Sequence, residues 1–150
     1  MLARDLRAGA VFLPVSPGAK VRVTIEALAT GPTCSPDPVP PLQGASAHVA
    51  VGYVSPERAR GEPGAPAGDV YALGALLFEM CTGRPVFQGA VAEVAQAHAQ
   101  SAPPVLRAVS PSMPEALEAL LMRMFAKVAR FRPTALEVRT ELAAARAALE

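Results

Sequence analysis

Cysteine is scarce, charge is balanced and no apolar run is long, and each of these shortages excludes a class of protein. The 150 residues include two cysteines, Cys34 and Cys81, and their separation matches no metal-ligand spacing. Cys81 ends an apolar run and reads as a buried free thiol. Lys and Arg number 14 against 13 Asp and Glu, a net charge of +1. Without a basic stripe, no nucleic-acid partner is expected. The longest apolar run, residues 70–81, contains Glu79 and is too short to cross a bilayer, so no membrane partner is expected either. Near the start, the apolar stretch Ala8 to Val15 is short, interrupted by Pro14 and preceded by Asp5, which is a poor signal peptide. A cytoplasmic location is expected. The two histidines, His48 and His98, have no partner at nucleophile or metal spacing, and His98 is expected to face solvent.

What is present is a hydrophobic chain, 51% apolar against 18% charged, long enough for one domain with a core. Nine of its 16 prolines gather at residues 32–41 and 103–114, which read as loops. Val11-Phe12-Leu13 and Val21-Arg22-Val23-Thr24-Ile25 are β-rich runs on either side of a Ser16-Pro17-Gly18 turn signal, and predict a hairpin. A long loop over 31–43 follows. Residues 69–82 predict a helix with Asp69 as its cap and Gly83 as its stop. Its apolar residues Val70, Tyr71, Leu73, Leu76, Leu77, Phe78 and Met80 wrap most of the cylinder, so it should be buried on nearly all sides. Gly89 to Gln100 predicts a weaker helix. Pro114 to Val128 predicts a strong one, with Leu117, Leu120, Leu121, Met124, Phe125 and Val128 at helical spacing. Pro133 opens a last helix, with Leu136, Val138, Leu142 and Leu149 partly inward. The fold class is therefore mainly α: a small hairpin, a long loop, then a helical bundle around a buried central helix.

Three blocks carry a family resemblance. Gly52-Tyr53-Val54-Ser55-Pro56-Glu57 is similar to the end of a protein-kinase activation segment. Gly68-Asp69-Val70-Tyr71-Ala72-Leu73-Gly74, continued by Phe78-Glu79-Met80-Cys81-Thr82-Gly83-Arg84-Pro85-Val86-Phe87, resembles the central helix of bacterial serine/threonine kinases and the loop after it. Leu120 to Lys127, followed by Arg132-Pro133-Thr134-Ala135, resembles the end of the same lobe. In order and spacing, over residues 49–143, the chain resembles the C-terminal lobe of that family. The resemblance implies three structural residues. Glu57 pairs with Arg132 and ties the activation segment to the bundle. Asp69 accepts hydrogen bonds from the catalytic-loop backbone. It also implies a division into a catalytic-loop and hairpin segment over 1–29, an activation-segment-like loop over 30–67 and a helical subdomain over 68–150.

The catalytic half departs from the family pattern. Ala3-Arg4-Asp5-Leu6-Arg7-Ala8-Gly9-Ala10 resembles the catalytic loop, and Asp5 stands at the position of the catalytic base. Ala3 replaces its histidine and Arg7 the lysine that touches the phosphate. Ala10 replaces the asparagine that holds one magnesium. At Thr24-Ile25-Glu26-Ala27-Leu28-Ala29 the family has Asp-Phe-Gly-Leu-Ala, so Ile25 takes the place of the other magnesium ligand. A one-residue slip that brought Glu26 to the metal would turn every side chain of the strand over. Val49-Ala50 replaces the Gly-Thr before Tyr53. No Gly-x-Gly-x-x-Gly occurs, and the only lysines, Lys20 and Lys127, lie in no Val-Ala-Ile-Lys strand. Asp5 is therefore read as vestigial, and no metal or cofactor is expected, ATP and magnesium belonging to the family alone. Thr30, Thr33, Ser35 and Ser46 are candidate phosphorylation positions, with Arg4 as a receptor for the phosphate. The expected function is a pseudokinase-like, non-catalytic interaction module. The alternative is part of a working serine/threonine kinase whose nucleotide lobe lies elsewhere. A protein partner, or a second copy, is expected on the exposed face of the central helix.

Overall fold

The computed structural model describes residues 11–12, 24–25 and 51–147. Two short strands, β1 (Val11–Phe12) and β2 (Thr24–Ile25), pair antiparallel, with Val11 opposite Ile25 and Phe12 opposite Thr24. The remaining described elements are helical: α1 (Pro56–Ala59), α2 (Pro66–Thr82), α3 (Val91–Gln100), α4 (Leu106–Val109), α5 (Glu115–Met124), a 3-10 turn (Ala129–Phe131) and α6 (Ala135–Ala147). The protein is mainly α, arranged around α2.

Helix α2 begins at Pro66, where the missing N–H costs nothing, and ends at Gly83. Gly83 takes φ 71°, a left-handed conformation that a side chain resists, and donates its N–H to the Glu79 carbonyl at 2.7 Å. Between these ends Val70, Tyr71, Ala72, Gly74, Ala75, Leu76 and Phe78 are buried. Helix α5 packs on α2 and α6 on α5, while α1 packs on α3. Tyr71 and Phe78 of α2 meet Phe125 edge-to-face, at centroid distances of 5.4 and 6.3 Å. Leu106, Leu120, Leu121, Met124 and Val138 close the core. Each large apolar side chain buried there contributes about 1.5–3 kcal/mol.

Several expectations change. Asp69 does not cap α2. The helix starts earlier, Ala65 is its N-cap, and Asp69 lies in the first turn. Met80 is 49% exposed, so α2 keeps an outward strip. Helix α5 stops at Met124, not at residue 128, and Val128 is half-exposed. Arg132 explains the stop: its guanidinium takes the Ala126 carbonyl at 2.8 Å and the Lys127 carbonyl at 3.3 Å, and the chain turns to present them. Leu136 is exposed, because α6 turns Val138 and Leu142 inward instead. The last helix starts at Ala135, not at Pro133. A capping box sets that start: the Thr134 backbone N–H and hydroxyl both donate to Glu137 at 2.7 Å, and the Glu137 N–H donates back to the Thr134 hydroxyl at 3.3 Å. Helical turns also form inside two stretches read as loops, α1 within 30–67 and α4 within 103–114. Cys81 is a free, half-buried thiol. Asp5, Ala10, Cys34, His48, Leu149, the four candidate phosphorylation positions and the loop over 31–43 lie outside the described residues.

Candidate functional site

Glu57 stands on α1 and Arg132 directly after the 3-10 turn, 75 residues apart in sequence. The structure brings them together as a two-pronged fork. Arg132 Nη1 donates to Glu57 Oε1 at 2.9 Å and Nη2 to Oε2 at 2.7 Å. Nη1 also donates to the Ala67 carbonyl at 2.8 Å, at the start of α2. With the Ala126 and Lys127 carbonyls, all five guanidinium N–H groups are used. The side chains are 0% and 9% exposed. Burial alone would raise the Glu57 carboxyl. Hydrogen bonds from Arg132 and the backbone, together with the Arg132 charge, outweigh it and hold the group below its ordinary value. Gly68 makes room: a Cβ there would lie 2.9 Å from Glu57 Oε1 and 3.1 Å from Ser55 Oγ. One cation thus joins α1, the first turn of α2 and the chain after α5. Asp69, also in that first turn, is half-buried, and the catalytic-loop backbone expected to meet it lies outside the described residues.

A second polar cluster lies beside the fork. Lys127 donates to the His98 carbonyl at 2.8 Å and to the Tyr71 hydroxyl at 3.4 Å. The Tyr71 hydroxyl and His98 Nδ1 are 3.0 Å apart. Since the Tyr71 oxygen accepts from an ammonium, its own proton points to Nδ1, which fixes the imidazole proton on Nε2. His98 is fully buried, contrary to the solvent-facing position expected of it. Tyr71 hydrogen-bonds it, and Phe87 meets its ring edge-to-face at 4.9 Å. Burial lowers its pKa to about 4; the Lys127 charge adds to the shift and the Gly52 backbone opposes it. Among the described residues, Nε2 nevertheless finds no hydrogen bond of normal geometry. Tyr71 also carries the Arg132 guanidinium over its ring at 5.1 Å, so the two clusters share a residue. Tyr53, just ahead of α1, donates its hydroxyl to the Glu79 carboxylate on α2.

These contacts tie the segment from Gly52 to Ala59 to α2, α3 and the chain before α6. They are anchoring contacts. The model of the protein kinase domain matches residues 40–142, which contain the whole arrangement. The chain belongs to the protein kinase family.

Among its relatives, serine/threonine-protein kinase PrkC of Bacillus subtilis is 41% identical over 78 residues, 51% of this chain and 12% of that protein. Probable serine/threonine-protein kinase PknB of Lactococcus lactis is 38% identical over 88 residues, 58% of this chain and 14% of its own length. Serine/threonine-protein kinase PknB of Mycobacterium tuberculosis is 37% identical over 92 residues, 60% of this chain and 15% of its own length. The chain thus spans a small part of these kinases, and their activity as whole proteins is not carried over by the match. No helix among the described residues is long and apolar enough to cross a membrane.

Within the family frame, the Ser-Pro-Glu and Arg-Pro blocks were legible because each is a contiguous motif. The Tyr53–Glu79 bond and the Tyr71–His98–Lys127 cluster were missed. Their members come from different elements, and each alone looks like an ordinary core or surface residue. The one available signal was that a tyrosine inside an otherwise apolar helix needs a partner for its hydroxyl.

Proposed function

We propose that the chain is a non-catalytic member of the kinase family, a helical module that binds another protein and does not transfer phosphate. One observation carries the reading: Ala10 and Ile25 stand where the family places its two magnesium ligands. Neither side chain offers an oxygen to a metal. Phosphoryl transfer depends on metal bridging the phosphates and neutralising the charge that develops on them. Asp5 without that metal is a base with nothing positioned against it. The partner docks on the outward strip of α2, where Leu73 and Leu77 are partly buried and Met80 is exposed.

The completeness of the Glu57–Arg132 anchor favours a second reading, part of a working serine/threonine kinase completed by another chain segment. A thermal-shift titration with Mg-ATP separates the two. Ligand binding to the folded state raises Tm by mass action. The non-catalytic reading expects no magnesium-dependent rise at millimolar ATP. A clear rise would overturn it. The double variant Ala10→Asn with Ile25→Asp, measured in parallel, shows whether restoring the ligands is enough to recover binding.

A further inference from the structure

The anchoring role of the Glu57–Arg132 fork leaves the Lys127 amine unexplained. Lys127 is half-buried in the bend after α5. Its Nζ lies 5.5 Å from the ring centroids of both Tyr71 and Phe87 and donates to the His98 carbonyl. That carbonyl belongs to the last turn of α3, where helix carbonyls have no partner within the helix. Lys127 therefore caps α3. The Ser101 N–H takes the neighbouring Ala97 carbonyl at 2.8 Å. Of α3 itself Val94 and His98 are buried, and the helix is otherwise mostly alanine and glutamine.

We propose that Lys127 is an acylation site, and that its acylation releases the C-terminal end of α3. The amine is set between two aromatic rings that shed water from it. The Arg132 guanidinium reaches the same Tyr71 ring at 5.1 Å and opposes a second positive charge there. Burial, then the Arg132 charge, lower the Lys127 pKa to about 8. About a quarter of such an amine is neutral at pH 7.5, against about one in a thousand for an ordinary lysine. The reagent class is a small acyl phosphate. The amine lone pair attacks the acyl carbon, the C–N bond forms and the C–O bond to phosphate breaks. Phosphate leaves with the electron pair, and the nitrogen passes its proton to water. The product amide is neutral. It loses the cation–ring contacts and keeps one N–H where the ammonium had three.

The test uses the full chain and acetyl phosphate at pH 7.5, with acetylation at Lys20 and Lys127 followed by peptide mass spectrometry. Lys127 should react at least about tenfold faster than Lys20 in the folded chain, and at a similar rate in urea. Equal or slower reaction in the folded chain overturns the proposal. Hydrogen exchange over residues 91–100 tests the consequence. Lys127→Gln should lose protection at least about tenfold, while Lys127→Arg, which keeps the charge, should stay near the parent chain. Unchanged protection in Lys127→Gln overturns the release of α3. Exchange in the acetylated parent chain gives the same readout without a substitution.

Discussion

Arg132 shows how one side chain decides the behaviour of distant residues. Its five donors are all engaged and, among the described residues, its counter-charge is Glu57, so removing either partner leaves a buried charge uncompensated. Arg132→Ala and Glu57→Ala should each cost about 3–5 kcal/mol in urea unfolding. The exchange Glu57→Arg with Arg132→Glu should recover part of that loss. Two single variants with unchanged stability would show that the fork contributes nothing. His98 makes a second prediction, in pH. Its pKa is about 4 in the folded chain, against an ordinary 6.5. The depressed value means that its contribution to stability is complete above pH 6.5. It is lost as the pH falls through 6.5 towards 4, because the unfolded chain binds the proton first. The loss should reach about 3 kcal/mol. Glu57, also depressed, extends the acid limb below 4.5. His98→Gln cannot titrate, so its urea midpoint should fall less between pH 7 and pH 4.5 than that of the parent chain. Parallel curves would remove His98 as a source of acid lability.

Among the elements, ends were harder to read than centres. The α2 interior was legible because its apolar residues surround the cylinder, and α5 because Leu117, Leu120, Leu121 and Met124 repeat at helical spacing. The α5 terminus was not legible, since it depends on carbonyls taken by Arg132, a partner outside the helix. The same reasoning applies to His98, whose burial depends on Tyr71, Phe87 and Lys127 from three other parts of the chain. The start of α6 was only partly legible. Proline marked the region, but the Thr134–Glu137 capping box fixes the first residue. Thr134→Ala should therefore cost about 1 kcal/mol in chemical denaturation, and Thr134→Ser much less, because serine keeps the oxygen that accepts the Glu137 N–H. Equal losses for both would mean that the threonine methyl matters and the cap does not.

At the scale of the whole molecule, the described residues form a bundle whose centre is closed and whose α2 helix is not closed on every side. Leu73, Leu77 and Met80 recur at helical spacing along one strip of α2. The first two are partly buried against the core and the third is 49% exposed. The family motifs made the fold readable over most of this region, since they name the central helix and both ends of its anchor. They do not say whether anything covers that strip. Burying apolar surface is worth about 25 cal/mol per Å², so covering the strip adds stability in proportion to the apolar area it hides. Association is therefore expected for the chain on its own. Its mean mass in light scattering should rise with concentration in the micromolar range. Met80→Glu places a charge at the exposed end of the strip without touching the buried face of α2, and should return the chain to a monomer with little change in its urea midpoint. A monomer at every concentration that also leaves an apolar dye unbound would remove α2 as a docking face. Association that persists in Met80→Glu would move the contact to another surface.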